Sequence, residues 1–221
     1  MAEIQTINIG SSANDGTGDT IRAGMDKVND NFANFKIEGT NFTSSILIGH
    51  STTGTLNAAT GNTGVGIAAL DAITTGDYNT AVGNLAGTAI STGVENTIMG
   101  GLAGDALTTG SKNVAIGYLA LSTEDETDNV VAVGYGALAT QNAGTDTFNV
   151  AVGYNAGTSV TSGYRNTFLG GAAGDAITTG FENVAIGTSA LGSDDSGRRS
   201  VAIGDSGLTN EDDETYVAWN W

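Results

Sequence analysis

A short aliphatic–glycine phrase recurs along the chain at Gly49, Gly66, Gly83, Gly100, Gly117, Gly134, Gly153, Gly170, Gly187 and Gly204. Every interval is 17 residues except the 19 from Gly134 to Gly153, whose two extra residues fall in the polar stretch 139–148. Around these glycines the same positions repeat. Asn stands four residues earlier at Asn62, Asn79, Asn96, Asn113, Asn149, Asn166 and Asn183. Ala stands three residues later at Ala69, Ala86, Ala103, Ala120, Ala137, Ala156, Ala173 and Ala190. A unit this short cannot hold a helix–turn–helix repeat, which needs more than about 30 residues. Alternation in Thr80-Ala81-Val82 and Val114-Ala115-Ile116 suits a short strand with one buried side. The pattern predicts a mainly β fold: a parallel β-solenoid (β-roll) of about ten coils over 46–208, stacked at ~4.8 Å. Each coil is expected to hold two strands and two Gly-marked turns, with the Asn residues forming a hydrogen-bonded ladder.

Composition fits a thin core. Of 221 residues 34 are Gly, and there is no Pro to interrupt a ladder. One large filler per coil follows a rule. Ile90, Leu107, Val160 and Ile177 stand seven residues after their landmark glycine, in coils that carry Gly87, Gly104, Gly157 and Gly174 at the fourth position. Where the fourth position is Leu121, Leu138, Leu191 or Leu208, the seventh is polar: Glu124, Gln141, Asp194 or Glu211. A single side chain is expected to fill one space from either turn. Leu70 and Ile73 share a coil and break the rule. Residues 79–121 and 149–191 also resemble one another, which points to duplication of a four-coil block.

The charge balance narrows the partners. Seven Lys and Arg against 24 Asp and Glu give a formal net charge of -17, which disfavours nucleic acid and anionic membranes. No apolar run suits a membrane span, and the first ten residues lack the features of a signal peptide. With no Cys and one His, His50, thiolate catalysis, Cys-based zinc and most triad schemes drop out. His50 receives no role. The chain is expected to be no enzyme and to need no cofactor or metal.

Residues 1–45 differ in character. Ile4, Ile7 and Ile9 suggest a short strand, Asn14 to Gly18 a turn, and Asp19 or Thr20 a helix cap. A helix over 20–35 would place Ile21, Met25, Val28, Phe32 and Phe35 at 4, 3, 4, 3 spacing, a coiled-coil seam. So short a seam needs several copies to hold it; the alternative is one amphipathic helix on its own solenoid. Residues 209–221, with Trp219 and Trp221, are expected either to cap the solenoid or to lead into a further domain.

Two resemblances extend this reading. The phrases ending in Gly117, Gly187 and Gly204 resemble the head repeats of trimeric autotransporter adhesins, over residues 49 to about 208, although those repeats commonly run nearer fourteen residues. That resemblance implies three β-rolls around an axis. Ile7-Asn8-Ile9-Gly10 and Asn14, Asp15, Gly16, Thr17, Gly18 and Asp19, followed by Arg22, Lys27, Asn29, Asn31 and Phe32, resemble the N-terminal segment of tail-fibre and baseplate-associated proteins of cyanophages and other marine phages. That second resemblance implies virion attachment through Asn14–Asp19 and Arg22. Together they imply a homotrimeric fibre in the phage tail, docked on tail or baseplate proteins and supporting adhesion to a host surface glycan or protein. Alternatives are a decoration or baseplate protein without host contact and a free-standing adhesin. A glycan hydrolase would need paired carboxylates in a groove, and the acids here are repeat-equivalent or in loops.

The remaining candidates have structural explanations. Residues 124–128 carry Glu124, Asp125, Glu126 and Asp128 but lack the glycine and alternation of a Ca²⁺ loop, and read as a solvated loop. Asp105 and Asp175 occupy equivalent places and read as turn formers. Asp194-Asp195 beside Arg198-Arg199 reads as a surface charge pair. The pairs beginning at Thr74, Ser91, Thr108, Thr161 and Thr178 could offer ice or carbohydrate a regular face, or could bond their own backbone.

Overall fold

A computed structural model describes residues 35–39, 42–48, 58–193, 195–207 and 217–219. The head segment 1–34, with Ile21, Met25, Val28, Phe32 and the residues 14–19 and 22, lies outside the described residues, as does His50. Phe35 was expected to close the helical seam. It opens a strand instead.

Strands β1 (Phe35–Gly39) and β2 (Phe42–Ile48) form an antiparallel hairpin. β2 pairs in parallel with β3 (Ala59–Thr60) and β4 (Thr63–Val65), so the sheet begins upstream of residue 46. Three-residue strands then follow: β5 (Thr80–Val82), β6 (Thr97–Met99), β7 (Val114–Ile116), β8 (Val131–Val133), β9 (Val150–Val152), β10 (Thr167–Leu169), β11 (Val184–Ile186) and β12 (Val201–Ile203). β13 (Val217–Trp219) pairs with β12 through Val201 and Val217, so the backbone near the end of the chain extends the same sheet. All pairings from β4 onward are parallel and sequential. The architecture is a parallel β-solenoid. Across the 19-residue interval Val131 still faces Val150, so the two extra residues leave the strands in register.

From β5 onward each coil holds one strand, not two. The second side is a run of turns because residues two and four past the landmark glycine adopt left-handed backbone, as at Leu85 (φ 59) and Gly87 (φ 54), or Leu119 (φ 58) and Leu121 (φ 54). Left-handed backbone costs a non-glycine residue ~1–2 kcal/mol. For Leu121 that cost is offset by full burial, worth ~1.5–3 kcal/mol for a leucine. Coil-to-coil bonds persist through the turns, as in Leu70 N–H to Ala86 O at 3.1 Å and Gly87 N–H to Ala103 O at 2.9 Å.

The interior is filled as the Leu/Gly alternation implied. Leu70, Ile73, Ile90, Leu107, Leu121, Leu138, Val160, Ile177 and Leu191 are all fully buried, as is every repeat Ala from Ala69 to Ala190. A Cβ on Gly87 would stand 2.8 Å from Ile90 Cδ1, and one on Gly104 2.9 Å from Leu107 Cδ1. The two fillers therefore compete for one space. The central strand residue explains the exception at Leu70 and Ile73: it is Gly64, whose added Cβ would meet Leu47 Cδ2 at 2.5 Å and Leu70 Cδ1 at 3.6 Å. Conversely, the coils with the largest strand residues, Ile98 and Phe168, carry Gly104 and Gly174.

The landmark glycines close the packing. From Gly66 to Gly204 they have φ between 122 and 149, and from Gly66 to Gly187 an added Cβ would collide with the carbonyl of the next landmark glycine. Only glycine lets the coils approach there.

Candidate interaction surfaces

The Asn column makes the interior ladder. Asn79 Nδ2 donates to Gly93 O at 2.8 Å, while its Oδ1 accepts from Asn96 N–H at 3.0 Å. Asn96 repeats this with Gly110 and Asn113, and Asn166 with Gly180 and Asn183. Each buried amide satisfies one donor and one acceptor of the following coil.

Val130 takes the place of Asn in this column and supplies no rung. The interior there becomes polar. Glu124, read from the sequence as part of a solvated loop, is fully buried. Its Oε1 accepts from the N–H groups of Asp125 (3.2 Å), Glu126 (3.4 Å) and Thr127 (3.1 Å). Its Oε2 accepts from Gln141 Nε2 at 3.1 Å and Ala143 N–H at 3.4 Å, and Gln141 Oε1 accepts from Asn149 Nδ2 at 2.7 Å. A fan of backbone donors suits a carboxylate. The chain Glu124–Gln141–Asn149 thus crosses the junction that Val130 leaves without an amide. Among the described residues no three His, Asp or Glu side chains gather to hold a metal ion.

Asp105 and Asp175 lie in turns, and each keeps a buried Oδ1 with no hydrogen-bond partner. Burial pushes both carboxyls above the ordinary range, against an opposing pull from backbone N–H groups. Two isolated acids four coils apart do not form a catalytic pair. The leading member of each Thr/Ser pair bonds forward to the next coil: Thr74 Oγ1 to Ser91 O at 2.9 Å and Thr178 Oγ1 to Asp195 O at 2.9 Å. These hydroxyls serve the backbone, while Thr75, Thr109 and Thr179 remain exposed.

The outer face of the strands is a different surface. Its columns are the first strand residue (Thr63 to Val201), the third (Val65 to Ile203) and the residue after the landmark glycine (Ile67 to Asp205). Across nine coils these columns contain one charged residue, Asp205. Val65, Met99 and Leu169 are exposed, and Ile67 is 69% exposed. Tyr118, Tyr135 and Tyr154 stack along this face, with centroids 5.7 and 5.3 Å apart. Their spacing equals that of the landmark glycines, so the column was already present in the sequence pattern.

The corner preceding the strands carries the opposite character. All four Lys and Arg between residues 46 and 208, namely Lys112, Arg165, Arg198 and Arg199, lie in its two neighbouring columns. Backbone bonds from Arg165 N–H to Thr147 O, Glu182 N–H to Tyr164 O and Arg199 N–H to Phe181 O join successive coils here. Arg199 pairs with Glu182 one coil away: Nε lies 2.9 Å from Oε2, and Arg165 Nη1 lies 3.2 Å from Oε1; Asp194 lies outside the described residues. These hydrogen bonds, that to Arg199 foremost, hold the Glu182 carboxyl below its ordinary range.

Comparison with protein-family models, curated proteins and solved structures gave no match. Among the described residues no helix is long and apolar enough to cross a membrane.

Proposed function

We propose that this chain is a structural component of a phage tail fibre, whose head segment attaches to the virion and whose solenoids associate as three copies into a shaft supporting host adhesion. The observation that carries the reading is the nearly charge-free strand face on a chain of net charge -17. Nine strands at ~4.8 Å give a face roughly 40 Å long, and the residue rise gives a width of ~13 Å. The resulting area, on the order of 500 Å², carries a continuous column of Val, Ile, Met and Leu flanked by Thr and Tyr, and exposed apolar columns of this extent are often functional. Packing copies face to face removes this patch from water and leaves the acidic surfaces outward, where like charges separate. Attachment through Asn14, Asp15, Gly16, Thr17, Gly18, Asp19 and Arg22 rests on their resemblance to phage fibre and baseplate segments.

Light scattering at several dilutions tests the assembly. The expected mass is close to three times 22.1 kDa and resists dilution. Ile116→Glu with Val133→Glu should give monomers with unchanged circular dichroism. A wild-type monomer at every concentration would refute the shaft. Labelling of virions with antibody against residues 1–34 would then separate attachment from assembly.

A further inference from the structure

Independently of oligomeric state, we propose that the corner built by Tyr164, Arg165, Phe181, Glu182, Arg198 and Arg199 binds an acidic polysaccharide, one bearing carboxylates on successive sugars. Tyr164 and Phe181 stack with centroids 4.8 Å apart and planes 1° from parallel. Guanidinium groups lie against the rings: Arg165 is 5.7 Å from the Tyr164 centroid, and Arg198 and Arg199 are 5.6 and 5.9 Å from that of Phe181. The rings hold long side chains that would otherwise sample many rotamers, so less freedom is lost when an anion binds. Arg165 and Arg199 also keep 61% and 64% of their side-chain surface exposed while paired with Glu182.

Position along the rod sets the direction of binding. The same columns carry Asp77, Glu95 and Asp128 in earlier coils and three arginines in the coils from Tyr164 onward. A polyanion repelled by the rest of the surface is therefore drawn to this end. Arg165 and Arg199 belong to coils two apart, ~10 Å along the rod at ~4.8 Å per coil. That separation suits charges repeated along an extended chain rather than one small anion.

Sugar fits this corner better than peptide. A peptide strand gains affinity by backbone pairing at an open edge, but the corner's backbone bonds already run from coil to coil. Recognition falls to side chains: guanidinium forks for carboxylates, ring edges for the apolar sides of sugars, and Glu182 as acceptor for hydroxyls. Polyglutamate has carboxylates but no hydroxyls to donate to Glu182.

The test measures binding of the full chain to polygalacturonate, with neutral dextran and polyglutamate as comparators, across a salt series. Polygalacturonate should bind, weakening as salt rises, with dextran and polyglutamate each weaker by roughly tenfold or more. Arg165→Ala, Arg198→Ala and Arg199→Ala combined should abolish binding, whereas Lys112→Ala, in an earlier coil, should leave it within about twofold. Should the triple variant melt early, Arg165→Lys serves instead: it keeps the charge, loses the fork, and should cost several-fold in affinity. Equal binding of dextran, equal binding of polyglutamate, or binding indifferent to the arginine changes would each overturn the proposal.

Discussion

The coils around Asn96 and those around Val130 reach the same stacking by different means. In the first, an Asn amide ties each coil to the next and Ile90 or Leu107 fills the interior. In the second the amide is missing, Leu121 and Leu138 fill the interior from an earlier turn, and Glu124 and Gln141 supply the hydrogen bonds. The backbone repeat is thus constrained more tightly than the chemistry inside it. What both kinds of coil share is the landmark glycine.

That shared element should be the most sensitive. Gly117→Ala or Gly134→Ala places a methyl into the next coil's glycine carbonyl, and should cost upwards of ~4 kcal/mol, read as loss of a cooperative melt. Next comes Glu124→Ala, which leaves four backbone N–H groups and Gln141 without their acceptor. It should cost ~3–4 kcal/mol by denaturant unfolding, and Glu124→Gln about half as much. Asn96→Ala strands Gly110 O and Asn113 N–H; ~2–3 kcal/mol is expected. If Asn96→Ala proved costlier than Glu124→Ala, the polar interior would be secondary to the ladder.

The smallest effect concerns Asp105 and Asp175. Burial raises the folded carboxyls above the ordinary value of 3.8, so the native state holds these protons to higher pH than the unfolded chain does. Their contribution is then complete below the ordinary carboxylate range and is lost as pH rises through the folded values. Asp175→Asn should melt ~1 °C higher than wild type at pH 7, because the acids lie near the surface, and the gap should close by pH 3. A gap that widens in acid would contradict this account.

Much of the fold was legible because neighbouring coils must present the same atoms to each other. That requirement put Gly, Asn and Ala in register and linked Gly87 to Ile90 and Leu121 to Glu124. The second strand was misjudged because Ile and Thr in these turns look β-favouring, whereas left-handed backbone at residues such as Leu85 bends the chain. Glu124 was misread because an acidic run resembles solvated loop, and only the fold reveals the fan of N–H groups around it. The arginine corner was half visible: Arg198-Arg199 stood out, but the tie of Arg199 to Glu182, one coil away, requires the stack.

The missing amide at Val130 also has a mechanical side. A rod pulled along its axis carries the load in series, so its strength is that of its weakest junction. Here the junction between the coils of Val130 and Asn149 differs in kind, because Gln141 bridges the gap with a longer, jointed side chain. Under tension that junction should stretch further than an amide rung does before it gives way.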